Sequence, residues 1–441
     1  MGICPKCGFA EARGDECPKC GASYEATDLK KPRSKLSGAP LTLKATKHWF
    51  IGFDLFKDQL SHWIKKKNWK SNVVNFAQNY IDDLKPRAIT RDSDWGIPVP
   101  LEGAEGKVLY VWFDAPIGYI SATKEWALKK GDPEAWKQYW CDEKTKLVNF
   151  IGKDNIPFHA IFFPAMTMGQ DEPYKTVDEL PANEFYNLEG KQFSKSAGWY
   201  IDLEEFFKHF SADQIRYAIA ANAPETQDSE FSWKDFQMRC NSELLGKYGN
   251  LINRVLVFTQ NKCDGMMPPY GDLKHEDEVF LEKIDELTQA IYEAYSHFHL
   301  RKATQLIMDL AQEGNVYFDA KKPWKDPEGL NTTIACSLRA LNALALISFP
   351  IIPDTAEKVW KLLGNDTRLK DQKWEAVLEA GIPPNRTFPK PEVLFFKVED
   401  SVIEKQLDAL KEEAGNLKDQ ISFDTFQKLD IRVAEILSVE E

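Results

Sequence analysis

One change of hydrophobic period divides this chain and limits what it can fold into. After Ser211, which stands three residues before Gln214 as a capping-box pair, apolar residues recur at helical spacing to about residue 365. In SELLGKYGNLINRVLVF, Leu244, Leu245, Tyr248, Leu251, Ile252, Val255 and Leu256 follow i, i+4, i+7, i+8 spacing. Similar stripes run from Phe280 to Tyr295, Ala303 to Tyr317 and Leu338 to Leu346, which predicts a helix bundle. Upstream, three short runs are apolar on both faces: Lys107 to Phe113 (KVLYVWF), Lys146 to Ile151 (KLVNFI) and Glu184 to Leu188 (EFYNL). Such runs, spaced by crossovers, predict buried parallel strands. Each is followed by polar or glycine residues, at the sheet end where open α/β sheets take ligands. The fold class expected is therefore α/β followed by all-α.

A second constraint is local and chemical. Cys4-x2-Cys7-x9-Cys17-x2-Cys20 offers four thiolates in two pairs, each pair followed by a glycine (Gly8, Gly21) that lets the backbone turn around sulfur. That spacing predicts one tetrahedral metal, zinc first and rubredoxin-like iron as the chemical alternative. With every position filled by sulfur, the role is structural. The other cysteines, Cys141, Cys240, Cys263 and Cys336, are scattered singly, as suits a reducing compartment.

At 441 residues the chain is long enough for two to four units. Its net charge of −12 argues against a surface that is basic everywhere, so any RNA contact should be local. No uninterrupted apolar stretch reaches the length of a bilayer, and the expected location is the cytosol.

Three loops carry candidate chemistry. GKQFSKSAG, from Gly190 to Gly198, follows an expected strand and surrounds Lys195 with small residues, which suits an ammonium brought to a nucleotide phosphate. Gly152, Lys153 and Asp154 follow another strand and precede a helical run, where backbone N–H groups favour phosphate. On the first long bundle helix, Asn250 and Arg254 are four apart and share a face, and KKPW later supplies Trp324. Taken alone, SKS reads as a solvated loop, Asn250 as a polar helix position and Trp324 as a core residue.

KVLYVWFDAPIGYI, NFIGKDNIPFHAIFFPAM and GKQFSKSAG, in that order, resemble methionyl-tRNA synthetase, a class I family, over nearly the whole chain. The resemblance implies a partial class I Rossmann domain with a zinc-knuckle insertion, then an anticodon-binding bundle. The implied division is a zinc knuckle at 1–30, the rest of the connective insertion at 31–106, and the second half of the catalytic domain at 107–228. An anticodon-binding helical domain at 229–385, a linker at 386–420 and the start of a tRNA-binding OB-fold at 421–441 follow.

By the same resemblance, methionine sits among Trp112, Ala115, Pro116, Tyr119, Phe158 and His159, and ATP meets Gly152, Lys153, Asp154 and Lys195. The family's KMSKS loop matches Gln192-Phe193-Ser194-Lys195-Ser196, which makes Lys195, Ser194 and Ser196 the catalytic set. Gln192 replaces the first lysine of that motif, and Lys191 is a partial substitute. Asn250, Arg254 and Trp324 correspond to the readers of the CAU anticodon. Ser34 and Ser37 stand where some relatives carry further cysteines, so a single structural zinc is expected.

The implied activity is ATP-dependent formation of methionyl-adenylate and transfer to tRNA(Met), with Mg2+ accompanying ATP. No HxGH sequence occurs in the chain. The resemblance thus implies a fragment whose catalysis needs an amino-terminal half, fused or separate, and a homodimer through a completed OB-fold. Two alternatives are a non-catalytic tRNA-binding accessory protein and a class I synthetase for another amino acid.

Overall fold

The computed structural model describes residues 1–415 apart from 15, 16, 18, 19, 21–23, 25, 36, 196, 197, 376, 377, 379 and 380. Its described residues form two compact units, 1–182 and 183–415. The OB-fold expected at 421–441 lies outside the described residues.

The first unit opens with the cysteine module, in which Gly2 pairs with Ala12 and Ile3 with Lys30 through backbone bridges. Two short ribbons follow, Phe50–Ile51 against Arg87–Ala88 and Thr90–Asp92 against Lys107–Leu109, both antiparallel. Between them the helices Lys57–Ile64 and Ser71–Asp82 form. Val73, Ala77 and Ile81 recur every four residues on the second of these and are buried. They belong to the core that also holds Phe158, Ile161 and Phe162. Those last residues lie in a π-helix, Phe158–Phe162, which passes into the α-helix Phe163–Met168.

The run KVLYVWF corrects the sequence reading. Only Lys107–Leu109 is a strand, antiparallel rather than parallel, and Val111–Asp114 forms a helical turn with Val111 and Trp112 exposed. Its unbroken apolar character has two causes: Val108 faces the core, while Trp112 packs on another ring at the surface. The second run is strand-like in pieces, with Val148 bridged parallel to Glu179 and Ile151–Gly152 forming a short strand.

In the second unit the parallel expectation holds once. Tyr186–Leu188 pairs parallel with Ser229–Phe231 and antiparallel with Lys191–Gln192. The capping box forms as read: Ser211 Oγ accepts from Gln214 N, and Gln214 Oε1 accepts from Ser211 N, opening the helix Ala212–Ala221. Beneath the strands lies an aromatic cluster in which Phe206, Phe210, Trp233 and Phe236 keep ring centroids 4.9–5.9 Å apart. After it come the helix Trp233–Met238, a π-helix Arg239–Gly249, and the helices Asn250–Lys262, His275–Ser296, Leu300–Lys321, Leu330–Ser348 and Pro353–Leu362.

The predicted stripes are the buried faces of these helices. Leu244, Tyr248, Leu251, Ile252, Val255 and Leu256 are all buried, with Leu245 packed partly against them. Gly314 is needed at the crossing with the helix Asn250–Lys262. A Cβ there would stand 2.5 Å from Leu251 Cδ2, so only hydrogen lets the two helices approach this closely. Leu330–Ser348 is apolar and long enough to cross a membrane by composition. Thr332, Thr333, Ser337, Arg339 and Asn342 interrupt its apolar sequence. It is buried along most of its length as the central bundle helix, and its Ser337 hydroxyl donates to Thr333 O.

The described part of the expected linker lies against the bundle. Gln260 Nε2 donates to Phe388 O, and Asn241 exchanges two hydrogen bonds with Val398, taking its N–H at 2.8 Å and donating to its carbonyl at 2.9 Å. Asp400–Gly415 is then helical, with Ile403 and Leu410 buried.

Candidate functional site

In the cysteine module Cys4 and Cys17 are buried and Cys7 and Cys20 exposed. The Sγ atoms of Cys4 and Cys20 are 3.8 Å apart, those of Cys7 and Cys17 3.6 Å, and all four lie within 4.8 Å of one another. A tetrahedron with metal–sulfur arms of about 2.3 Å has edges of about 3.8 Å, so the donor set fits such an ion. Gly8, at φ +76°, makes the turn after Cys7, and the Cys7 N–H points at Cys4 Sγ from 3.4 Å. Burial pushes the Cys4 thiol up, but the backbone N–H groups of Cys7 and Lys6 and the neighbouring thiols bring it down to about 6.

The ring pocket is built by the turn Val111–Asp114, the start of the helix Ile117–Lys129 and the π-helix. Trp112 lies over Phe158 with centroids 5.1 Å apart, and Tyr119 meets Phe163 edge-on at 6.2 Å. His159 is buried. Its Nδ1 is 3.0 Å from the Asn155 carbonyl, which can only accept, so Nδ1 carries the proton and Nε2 accepts from the Tyr119 hydroxyl at 3.0 Å. Phe158 and His159 open the π-helix, and Asn155 lies in the 3-10 turn before it. Sequence reading carries no signal for the π-helix, because i→i+5 bonding has no distinctive residue pattern. Ala115 is exposed and Pro116 buried in the same turn. Asp114 was not singled out, yet its buried Oδ1 has no hydrogen-bond partner.

Burial lowers the His159 pKa below the ordinary 6.5, offset in part by the Asn155 carbonyl. The unfolded chain therefore binds a proton at pH values where the folded chain does not. Stability from this group is complete above about pH 6.5 and declines as pH falls below it. Between about pH 7 and about pH 5.5 the parent is expected to lose more melting temperature than His159→Gln. Parallel losses would contradict the lowered pKa of the buried His159.

Gly152 ends the short strand Ile151–Gly152, and Lys153–Asn155 turns as a 3-10 helix into the π-helix. A Cβ on Gly152 would come within 2.8 Å of Asp154 Oδ1, so glycine keeps that carboxylate close to the backbone. These residues stand in the first unit, and the SKS loop stands in the second.

That loop is a hairpin anchored at its base. Ser194 and Trp199 exchange backbone bonds of 2.8 and 2.9 Å, and Trp199 Nε1 donates to Leu188 O at 2.7 Å. Gly190, at φ +77°, donates its N–H to Glu230 Oε2. Lys195 sits exposed near the tip, its carbonyl taking the Gly198 N–H. Lys191, the expected substitute for the missing motif lysine, holds its ammonium 4.3 Å over the Trp199 ring. Ser196 lies outside the described residues.

On the bundle, Asn250 and Arg254 do share a face. Arg254 pairs with Asp319 at 2.5 Å and lies 5.3 Å over the Phe318 ring. The hydrogen bond from Arg254 holds the Asp319 carboxyl below its ordinary range. Trp324, read from sequence alone as core, is 47% exposed and sits beside Phe318, centroids 6.2 Å apart. Its turn leaves the helix Leu300–Lys321 through Lys322 at φ +45°, with Pro323 buried. Buried Asp277 braces the end of that helix, accepting from Tyr317 Oη at 2.6 Å and pairing with Lys321 at 2.8 Å. An amide, a guanidinium and an indole thus gather on one face, a set able to hydrogen-bond base edges and stack on a base.

Comparison with known proteins gives two family matches. Residues 1–256 match the family described as tRNA synthetases class I (M), and residues 267–411 match the anticodon binding domain of methionyl tRNA ligase. The methionine--tRNA ligase of Protochlamydia amoebophila is 58% identical over 99% of this chain and 66% of its own length. That of Christiangramia forsetii is 44% identical over the whole chain and 67% of its own length. The chain therefore spans about two thirds of the length of these relatives. Among solved structures, Mycobacterium tuberculosis methionyl-tRNA synthetase bound by methionyl-adenylate superposes with a TM-score of 0.71 at 25% identity, covering 81% of this chain and 70% of that one. Its apo form gives 0.73 at 23% identity over 88% and 77%, a likeness of fold. These matches run along the whole chain and give no support to a separately supplied half or to a dimer.

Proposed function

The chain belongs to the class I methionyl-tRNA synthetases, and from that premise we propose that it is a methionine–tRNA ligase whose ring pocket takes the amino acid and whose bundle face takes the anticodon. The observation that carries this reading is the Tyr119–His159 hydrogen bond set among the rings of Trp112, Phe158 and Phe163. A neutral imidazole and a phenol, both with fixed partners, border rings whose edges attract a polarisable sulfur. Sulfur–ring contacts contribute about 0.3–1.5 kcal/mol each. An aliphatic side chain of similar size gains the burial but not this contribution, and a pocket of this kind separates such neighbours by roughly 10–200-fold.

The reaction follows in two balanced steps. A methionine carboxylate oxygen attacks the α-phosphorus of ATP, forming the acyl–phosphate bond of methionyl-adenylate and breaking the bond to pyrophosphate. A terminal ribose hydroxyl of tRNA(Met) then attacks the acyl carbon and releases AMP. Lys195 supplies positive charge to the phosphate oxygens as the first step proceeds, with Ser194 and Ser196 completing the catalytic set. Gly152, Lys153 and Asp154 take the nucleotide, and Mg2+ accompanies the phosphates. Asn250 and Arg254 hydrogen-bond unstacked anticodon bases, and Trp324 stacks on one. Cys4, Cys7, Cys17 and Cys20 hold one structural zinc ion, with all four tetrahedral positions filled by sulfur.

Thermal melting in the presence of single amino acids tests the pocket. Methionine at about a hundred times its dissociation constant is expected to raise the melting temperature by roughly 5 °C, and leucine, isoleucine and valine by much less. Equal shifts for methionine and leucine would overturn the assignment of the ring pocket.

A further inference from the structure

Asn315 is a buried amide that touches both Asn250 and Arg254, and no motif marks it. It lies 7% exposed on the helix Leu300–Lys321, next to Gly314, whose missing side chain allows the close crossing with the helix Asn250–Lys262. Its Nδ2 donates to Ala311 O at 2.9 Å, within its own helix, and to Lys247 O at 3.1 Å across the crossing. Lys247 stands in the last turn of the π-helix Arg239–Gly249, where the ladder gives way to the α-helix that carries Asn250 and Arg254. Both hydrogens of the Asn315 amide are thereby committed, and its Oδ1 faces the other way. That oxygen accepts from Asn250 Nδ2 at 3.3 Å and lies 3.5 Å from Arg254 Nη1.

The arrangement has one satisfiable orientation. If the Asn315 amide flipped, Nδ2 would meet the Asn250 amide and the Arg254 guanidinium, donors against donors, while Oδ1 would face two carbonyls. The flip would leave the buried Oδ1 and Nδ2 of Asn315 itself without partners, which costs more than the bonds it replaces. The fixed Oδ1 in turn fixes Asn250. With one Nδ2 hydrogen held by Asn315, the exposed Asn250 amide presents its carbonyl oxygen and its second Nδ2 hydrogen to a ligand in one fixed order. A base edge that presents an N–H donor satisfies the oxygen, and one that presents acceptors alone leaves it without a partner.

We infer that Asn315 is a positioning residue for specificity: it sets the order in which the Asn250 amide presents its oxygen and its free hydrogen to the RNA, and so makes that position select a base with an amino or imino donor. The inference rests on the anticodon-reading role proposed above for Asn250 and Arg254.

The test titrates the full chain with fluorescent anticodon stem-loop hairpins, one carrying CAU and others with each anticodon base replaced in turn. Selectivity is the ratio of affinities. Asn250→Ala identifies the base that Asn250 reads. Asn315→Leu, close to isosteric, is expected to lose roughly 10-fold in selectivity at that same base. The double variant Asn250→Ala with Asn315→Leu is expected to lose no more than the larger single loss, because the two residues act through one contact. A merely structural role would add the losses and spread them over all three bases. Asn315→Gln keeps an amide oxygen for Asn250 and an amide N–H for the two carbonyls, and is expected to stay closer to the parent than Asn315→Leu at that base, which keeps the test decisive should the leucine variant fold poorly.

Parent-like selectivity in Asn315→Leu, additive losses in the double variant, or an Asn315→Gln protein as unselective as Asn250→Ala would each overturn the inference. If the parent chain itself does not distinguish CAU from the replaced hairpins, the anticodon reading fails first and the role of Asn315 falls with it.

Discussion

Replacing Arg254 by alanine is expected to weaken binding of a CAU anticodon hairpin by roughly 10–100-fold while leaving the melting temperature nearly unchanged. The size follows from a guanidinium that meets a base edge through two donors, a contact of about 1–3 kcal/mol. The small effect on stability follows from the setting. The Arg254–Asp319 pair is 29% and 59% exposed on its two side chains, and pairs in that environment contribute little to folding. Lysine should not rescue the loss, because a point ammonium cannot keep both the fork toward a base and the bond to Asp319. Hairpin titrations of the parent, Arg254→Ala and Arg254→Lys check this directly. Parent-like affinity in the alanine variant would remove Arg254 from the interface.

The second large effect concerns the metal. Among the described residues, the core of the amino-terminal module is Cys4, Ala12, Cys17 and Leu29, with Phe9 and Tyr24 packed against it. So little buried surface cannot hold a fold of that size without a cross-link or an ion. Binding free energies for structural zinc of this type are about 10–16 kcal/mol, and that energy is folding energy. The purified chain is expected to carry one zinc per molecule. Cys17→Ser, or a strong chelator, should release it. Hydrogen exchange should then show the amides of Gly2, Ile3, Cys4, Ala12 and Lys30, all hydrogen-bonded in the folded module, losing their protection. Amides of the helix Leu330–Ser348 should keep theirs. Protection that survives complete metal removal, or a visibly coloured iron centre in its place, would contradict the zinc reading.

How much of this was legible in the sequence depends on whether a feature has a local cause. The Ser211–Gln214 capping box arises from contacts within three residues and the cysteine cluster from two CxxC pairs within seventeen, and the structure forms the box and gathers the four sulfurs. The helical stripes were legible because burial on one face imposes a period of 3.6, whatever packs against it. KVLYVWF misled because an apolar run records only that its side chains meet other apolar groups. Val108 does so in the core, whereas Trp112 does so against Phe158 at the surface.

Both π-helices escaped notice, since a widened turn uses the same residues as an α-turn and is decided by what packs on it. Asn315 escaped for a related reason: its four contacts reach Ala311, Lys247, Asn250 and Arg254, and three of these lie more than sixty positions away in sequence. A buried amide beside Gly314 on an otherwise apolar stripe was the available signal. Trp324 was misjudged because an indole is usually core, and only the left-handed Lys322 and buried Pro323 turn it outward.

The account stands or falls on recognition of one anticodon by this chain. Fluorescence titration of the parent protein with a CAU stem-loop and with stem-loops differing at a single anticodon base measures it most directly. The expected result is binding of CAU at least about 10-fold tighter than any of the changed loops, at a salt concentration that suppresses backbone attraction. Equal affinities across the series would contradict it.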